Sequence, residues 1–147
     1  MMFDPTREVP RLDLCQQLKK LGFPQETGGF YWRKFKDGWK VDYIPYISVV
    51  KRMIRQGVIV KAPTFIELWR YLPKKFKTPK DKYAYLYIKK ENNMMQIEYD
   101  IFTLSYPSFY IKSIYPSELD SICKICIWLR EKGYIKFNKE ASDDNSD

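Results

Sequence analysis

The chain has 147 residues, 45% hydrophobic and 17% aromatic, with a formal net charge of +8 and no histidine. Length and composition fit one globular domain with its own core and exclude a disordered or collagen-like chain. The missing histidine removes the commonest general base and metal ligand, and with them most nucleophile triads.

Charge is unevenly distributed. Residues 138–147 carry Glu140, Asp143, Asp144 and Asp147 against Lys139, a formal −3 that leaves +11 for residues 1–137. A field of that sign favours nucleic acid, an anionic surface or an acidic protein, although it is first a statement about solubility. Three cysteines, an odd number, fit a reducing compartment better than a secreted disulfide framework. No stretch approaches about 18 apolar residues and no apolar leader follows Met1. A cytoplasmic protein without membrane insertion is expected.

Residues 1–11 read as an irregular leader punctuated by Pro5 and Pro10. Leu14, Leu18 and Leu21 fall at i, i+4 and i+7, which predicts a helix from Leu12, closed by Gly22 and Pro24. Residues Phe30 to Lys36 and Trp39 to Ile44 flank Asp37-Gly38, a dipeptide suited to a tight hairpin turn. Strand alternation puts Phe30 and Trp32 on one face and Tyr31, Arg33 and Phe35 on the other. From Tyr46 to Gln56 the apolar Val49, Val50, Met53 and Ile54 have helical spacing, with Gly57 as terminator. A short strand, Val58 to Val60, follows, then a capping box of Thr64 and Glu67 opening a helix that runs to Pro73.

A second hairpin is expected from Tyr83 to Lys90 and Met94 to Tyr99, joined by Glu91-Asn92-Asn93, with Tyr85, Tyr87, Ile97 and Tyr99 as cross-strand pairs. Residues Phe109 to Tyr115 and Tyr134 to Phe137 read as strands on either side of a final helix. Ser117 caps that helix with Asp120. Its stripe is Leu119, Ile122, Ile125, Cys126 and Leu129, and it ends at Gly133. The class is α+β: a largely antiparallel sheet built from hairpins, packed against about three to four helices. Residues 12–137 form one domain, and residues 138–147 an acidic tail expected to be disordered.

Catalytic chemistry is thinly supplied. Cys123 and Cys126 make a C-x-x-C, but with only Cys15 and no histidine to add they cannot complete a zinc site, and core packing is the better reading. Glu98 and Asp100 share a strand face and are the best local carboxylate pair. Solvated strand-edge positions are expected there in preference to a metal pair. No phosphate-binding glycine motif occurs. No catalytic residue, metal ligand or cofactor is expected.

The positive signal is basic and aromatic. Arg70, Lys74, Lys75, Lys77, Lys80, Lys82, Lys89 and Lys90 stand against Asp81 alone between residues 70 and 90, a formal +7. Such lysines can track phosphates while neighbouring tyrosines stack on unpaired bases, or they can blunt a sheet edge. Pro73 and Pro79 are expected to keep the middle of the run irregular. A helix from Ile47 would also place Lys51 and Arg55 on one face, able to dock a partner. Tyr31, Phe35, Trp39 and Tyr43 are candidate anchors for a protein partner, since aromatic residues dominate interface hot spots.

Three blocks carry a resemblance. They are Leu14-Cys15-Gln16-Gln17-Leu18-Lys19-Lys20-Leu21-Gly22-Phe23-Pro24-Gln25 with Phe30-Tyr31-Trp32, Ala62-Pro63-Thr64 with Glu67-Leu68 to Leu72-Pro73, and Ile127-Trp128-Leu129-Arg130-Glu131-Lys132-Gly133-Tyr134. Together they resemble a group of small accessory proteins of phages, prophages and other bacterial mobile elements. The resemblance implies an accessory protein acting in a bacterial cytoplasm and brings no catalytic residues. The expectation is a non-enzymatic protein that binds a host or phage macromolecule, as a monomer or homo-oligomer. The alternative is a nucleic-acid-binding module using residues 74–90.

Overall fold

The computed structural model describes residues 9–80, 82–91, 94–102, 107–115 and 118–137, among which lie four helices and seven strands. The strands form two antiparallel sheets. One holds β1 (Gly29–Phe35), β2 (Gly38–Ile44) and β3 (Ile59–Lys61) in the order β2-β1-β3. The other holds β4 (Lys75–Lys77), β5 (Tyr83–Glu91), β6 (Met94–Phe102) and β7 (Pro107–Tyr115) in the order β4-β5-β6-β7. With α1 (Leu12–Lys20), α2 (Ile47–Gln56), α3 (Phe65–Trp69) and α4 (Glu118–Glu131), the class is α+β.

Local chemistry explains the helices. In α2, Val50 and Met53 face inward, while Lys51, Arg52 and Arg55 face solvent. Gly57 ends it at φ 70°, a conformation that costs a residue with a Cβ. The capping box of α3 is formed: Thr64 Oγ1 accepts from the Glu67 N–H at 3.4 Å, and Glu67 Oε1 accepts from the Thr64 N–H at 3.2 Å. This helix stops at Trp69, short of Pro73. The α4 stripe of Leu119, Ile122, Ile125, Cys126 and Leu129 is buried as its spacing requires. Ser117 lies outside the described residues. Asp120 accepts the Arg11 N–H at 3.0 Å and so ties the start of α1 to α4.

Three expectations need correction. Lys75–Lys77 is a strand, because Phe76 inserts into the core against Tyr99 at 4.8 Å while its lysine neighbours turn outward. Residues 134–137 form no strand. Tyr134 packs on Phe76 at 4.2 Å, and Phe137 meets both Phe23 and Tyr71 edge-on at 5.2 Å, so these rings close the core beyond α4. In the second hairpin Glu91 pairs with Met94, so Tyr85 lies opposite Asp100 and Tyr87 opposite Glu98. Ile97 and Tyr99 instead face Ile88 and Leu86.

The two sheets are covered differently. On the three-stranded sheet, Tyr31, Ile44 and Ile59 pack against Val50 and Met53 of α2. Its other face carries Phe30, Trp32, Trp39 and Val41, packed on Val9, Cys15, Val60 and Ala62. Trp32 Nε1 donates to the Pro10 carbonyl at 3.0 Å, so residues 9 and 10 are a buried strap. The four-stranded sheet buries Phe76, Ala84, Ile97 and Tyr99 against α4 and α1. No described helix covers its opposite face.

Candidate functional site

The sheet face that no described helix covers is built by strand alternation. Along β5, Ala84 is buried and Leu86 half-buried toward α4, so Tyr83, Tyr85 and Tyr87 point the other way. Those three residues are 45%, 39% and 41% exposed. Successive rings stand about 7 Å apart along the strand. On β4 the exposed Lys75 and Lys77 lie directly opposite Tyr85 and Tyr83. The Lys75 ammonium sits 4.7 Å from the centre of the Tyr83 ring, a cation–π contact.

The remaining predicted cations divide. Lys74, Lys80 and Lys82 are exposed around the β4–β5 hairpin, whose loop is closed by the Thr78 N–H on the Lys82 carbonyl at 2.8 Å. Arg70 is also exposed but belongs elsewhere, on a cavity at the exit of α3. Lys89 and Lys90 are on β5, and their side chains lie outside the described residues.

Glu98 and Asp100 share the tyrosine face, one strand further in. They are 0% and 4% exposed, which corrects the expectation of solvated edge positions: β6 is an interior strand. Among the described residues no group of three or more acidic, cysteine or histidine side chains could hold a metal ion. The thiols of Cys15, Cys123 and Cys126 are buried, and desolvation pushes all three well above the ordinary range, which makes them unreactive.

The four aromatic partner candidates do not form one surface. Tyr31 is fully buried, and its hydroxyl donates to the Gln25 carbonyl at 2.6 Å and accepts from the Gly28 N–H at 3.0 Å. Trp39 packs in the core of the opposite face. Phe35 is exposed beneath the Arg33 and Lys40 cations, and Tyr43 leans on Phe30 at 5.2 Å.

A second polar centre was not anticipated. Lys61 on β3 is 1% exposed, its ammonium donating to the Gly28 carbonyl at 2.6 Å and pairing with Glu67 Oε2 at 3.2 Å. A Cβ on Gly29 would stand 3.0 Å from that ammonium, so the glycine makes room for it. Burial lowers the lysine's pKa, and the Glu67 carboxylate opposes the shift. One sequence signal could have found it: a single cation inside the apolar run from Val58 to Pro63 must be paired. Glu67 and Gln25 also line a cavity of about 480 Å³.

Comparison with protein-family models, with curated proteins and with solved structures found no match. No described helix is long and apolar enough to cross a membrane.

Proposed function

We propose that this protein binds single-stranded nucleic acid on the face of its four-stranded sheet that carries Tyr83, Tyr85 and Tyr87. The observation that supports this reading is the row Tyr83, Tyr85 and Tyr87, half exposed and flanked in register by Lys75 and Lys77. Rings on a sheet stack on unpaired bases whatever their identity, and lysines along the margin follow the phosphates. Paired bases are stacked inside a duplex and offer no free faces to such a row. Glu98 and Asp100 share this face one strand further in but are 0% and 4% exposed, so among the described residues the rings and lysines of β5 and β4 are the part of it open to solvent.

Macromolecule binding without catalysis is also the role implied by the resemblance to phage and mobile-element accessory proteins. A bacterial cytoplasm, where single-stranded intermediates occur and thiols stay reduced, is the setting this reading assigns. The experiment is fluorescence anisotropy with labelled single- and double-stranded DNA and RNA at low and near-physiological salt. Micromolar or tighter binding of single strands that persists at the higher salt is expected. Equal binding of duplexes, or none at low salt, would remove the proposal and turn the search to a protein partner.

A further inference from the structure

The cavity at the exit of α3 is independent of the tyrosine face, and its walls have a definite chemistry. Phe23, Tyr71 and Phe137 supply an apolar side, their rings packed mutually with centroids 5.2 to 5.4 Å apart. Its volume, about 480 Å³, lies within the range of small-molecule sites. Its lining also includes polar and charged residues.

Three of these carry charge. Glu67 is held by the buried Lys61 through Oε2, and by the Thr64 N–H and hydroxyl through Oε1, both at 3.2 Å. A carboxylate has about four lone-pair sites, so one acceptor position on Oε2 is left, and Glu67 lines the cavity. Glu26 lines the mouth, is exposed, and makes no hydrogen bond or ion pair with a described residue. Arg70 lines the same mouth. Its guanidinium has five N–H donors, enough to serve a protein partner and a ligand carboxylate together.

An apolar body against aromatic rings, an ammonium near carboxylates and a carboxylate near a guanidinium describe one ligand class. We infer that this cavity binds a free α-amino acid with an apolar side chain, its ammonium on Glu26 and Glu67, its carboxylate on Arg70. A purely apolar ligand leaves both charged groups unused. A monovalent anion or cation meets one partner and one repelling charge. Lys61 is a positioning residue here: it fixes the Glu67 carboxylate and does not itself line the cavity.

The test is isothermal titration calorimetry of the full chain with three probes: L-phenylalanine, phenethylamine, which lacks the carboxylate, and 3-phenylpropionate, which lacks the ammonium. Saturable binding of phenylalanine is expected, with each partial analogue weaker by about tenfold or more, the usual worth of a charge-assisted hydrogen bond. Two exposed positions assign the charges without threatening the fold. Glu26→Gln should reduce the preference for phenylalanine over 3-phenylpropionate, with Glu67 retaining part of it, and Arg70→Gln should erase the preference over phenethylamine. Absence of saturation with all three probes, equal binding of all three, or unchanged preferences in both variants would each overturn the inference. Tyr85→Ala, on the sheet face, should bind phenylalanine as the parent does, so this site and the nucleic-acid site fail separately.

Discussion

The two sheets of this molecule use the same aromatic side chain in opposite ways. In the three-stranded sheet Tyr31 is fully buried and both roles of its hydroxyl are taken by backbone groups. In the four-stranded sheet Tyr83, Tyr85 and Tyr87 remain about two-fifths exposed. The difference lies in packing among the described residues: one sheet has apolar clusters on both faces, whereas the other has its apolar cluster on the face toward α4. Buried aromatics hold the fold, and partly exposed ones in a row beside lysines present ring surface to solvent. Composition alone does not separate the two roles.

The largest effect expected is alkaline. The buried thiols keep their protons in the folded chain, whereas in the unfolded chain they ionise near the ordinary value of 9.0. Above that pH the unfolded state binds fewer protons, so stability falls as pH rises, by about 1.4 kcal/mol per pH unit for each thiol and about 4 for three. The tyrosines Tyr31, Tyr71 and Tyr99, pushed upward by burial, add to the fall above 10.0. Lys61 acts oppositely: its lowered pKa makes stability rise with pH below 10.5, one group against several. Urea unfolding at about pH 8.5 and about pH 10 measures the slope. Cys15→Ala should remove about a third of the thiol contribution, the share held at the three-stranded sheet.

Next in size is Tyr31→Ala, which should cost about 3–5 kcal/mol, as truncation of a buried aromatic does. Tyr85→Ala should leave stability within about 0.5 kcal/mol. Equal losses in urea titrations of the two variants would break the contrast between the sheets. For binding the order reverses: Tyr85→Ala should lose about 1–3 kcal/mol of affinity for a single-stranded oligonucleotide. The smallest effect is in salt dependence. Replacing Lys75 and Lys77 together by Gln should flatten the plot of log affinity against log salt by about 1.4, or 0.7 per lost phosphate contact.

Much of the fold was legible because short-range chemistry decides it. The α2 boundaries follow from Val50, Met53 and Gly57, and the start of α3 from the Thr64–Glu67 box. The hairpins show where such reading stops. In the first, the turn falls on Lys36-Asp37 rather than Asp37-Gly38, and Phe35 pairs with Gly38. Sliding a two-residue turn by one residue changes each partner by two, so every side chain keeps its expected face. In the second, Glu91 joins the strand and the connection is one residue shorter than expected. That change flips parity, and Tyr85 and Tyr87 move from pairing with Ile97 and Tyr99 to lying opposite Asp100 and Glu98.

The same slip exposes the candidate site, whose lysines were legible as a charge run but whose tyrosine row depended on register. β4 was hidden because three residues bounded by Pro73 and Pro79 carry little strand signal, and only the burial of Phe76 reveals it. The division into two sheets rests on β3 pairing with β1 across α2, a long-range choice that no local pattern encodes.

The most direct test of the central claim is anisotropy of a labelled single-stranded oligonucleotide titrated with the parent chain and with Tyr85→Ala/Tyr87→Ala. The double variant is expected to keep its urea midpoint and to lose about thirtyfold or more in affinity, the sum of two stacking contacts. Unchanged affinity in a folded double variant would contradict that claim and return the tyrosine row to surface decoration.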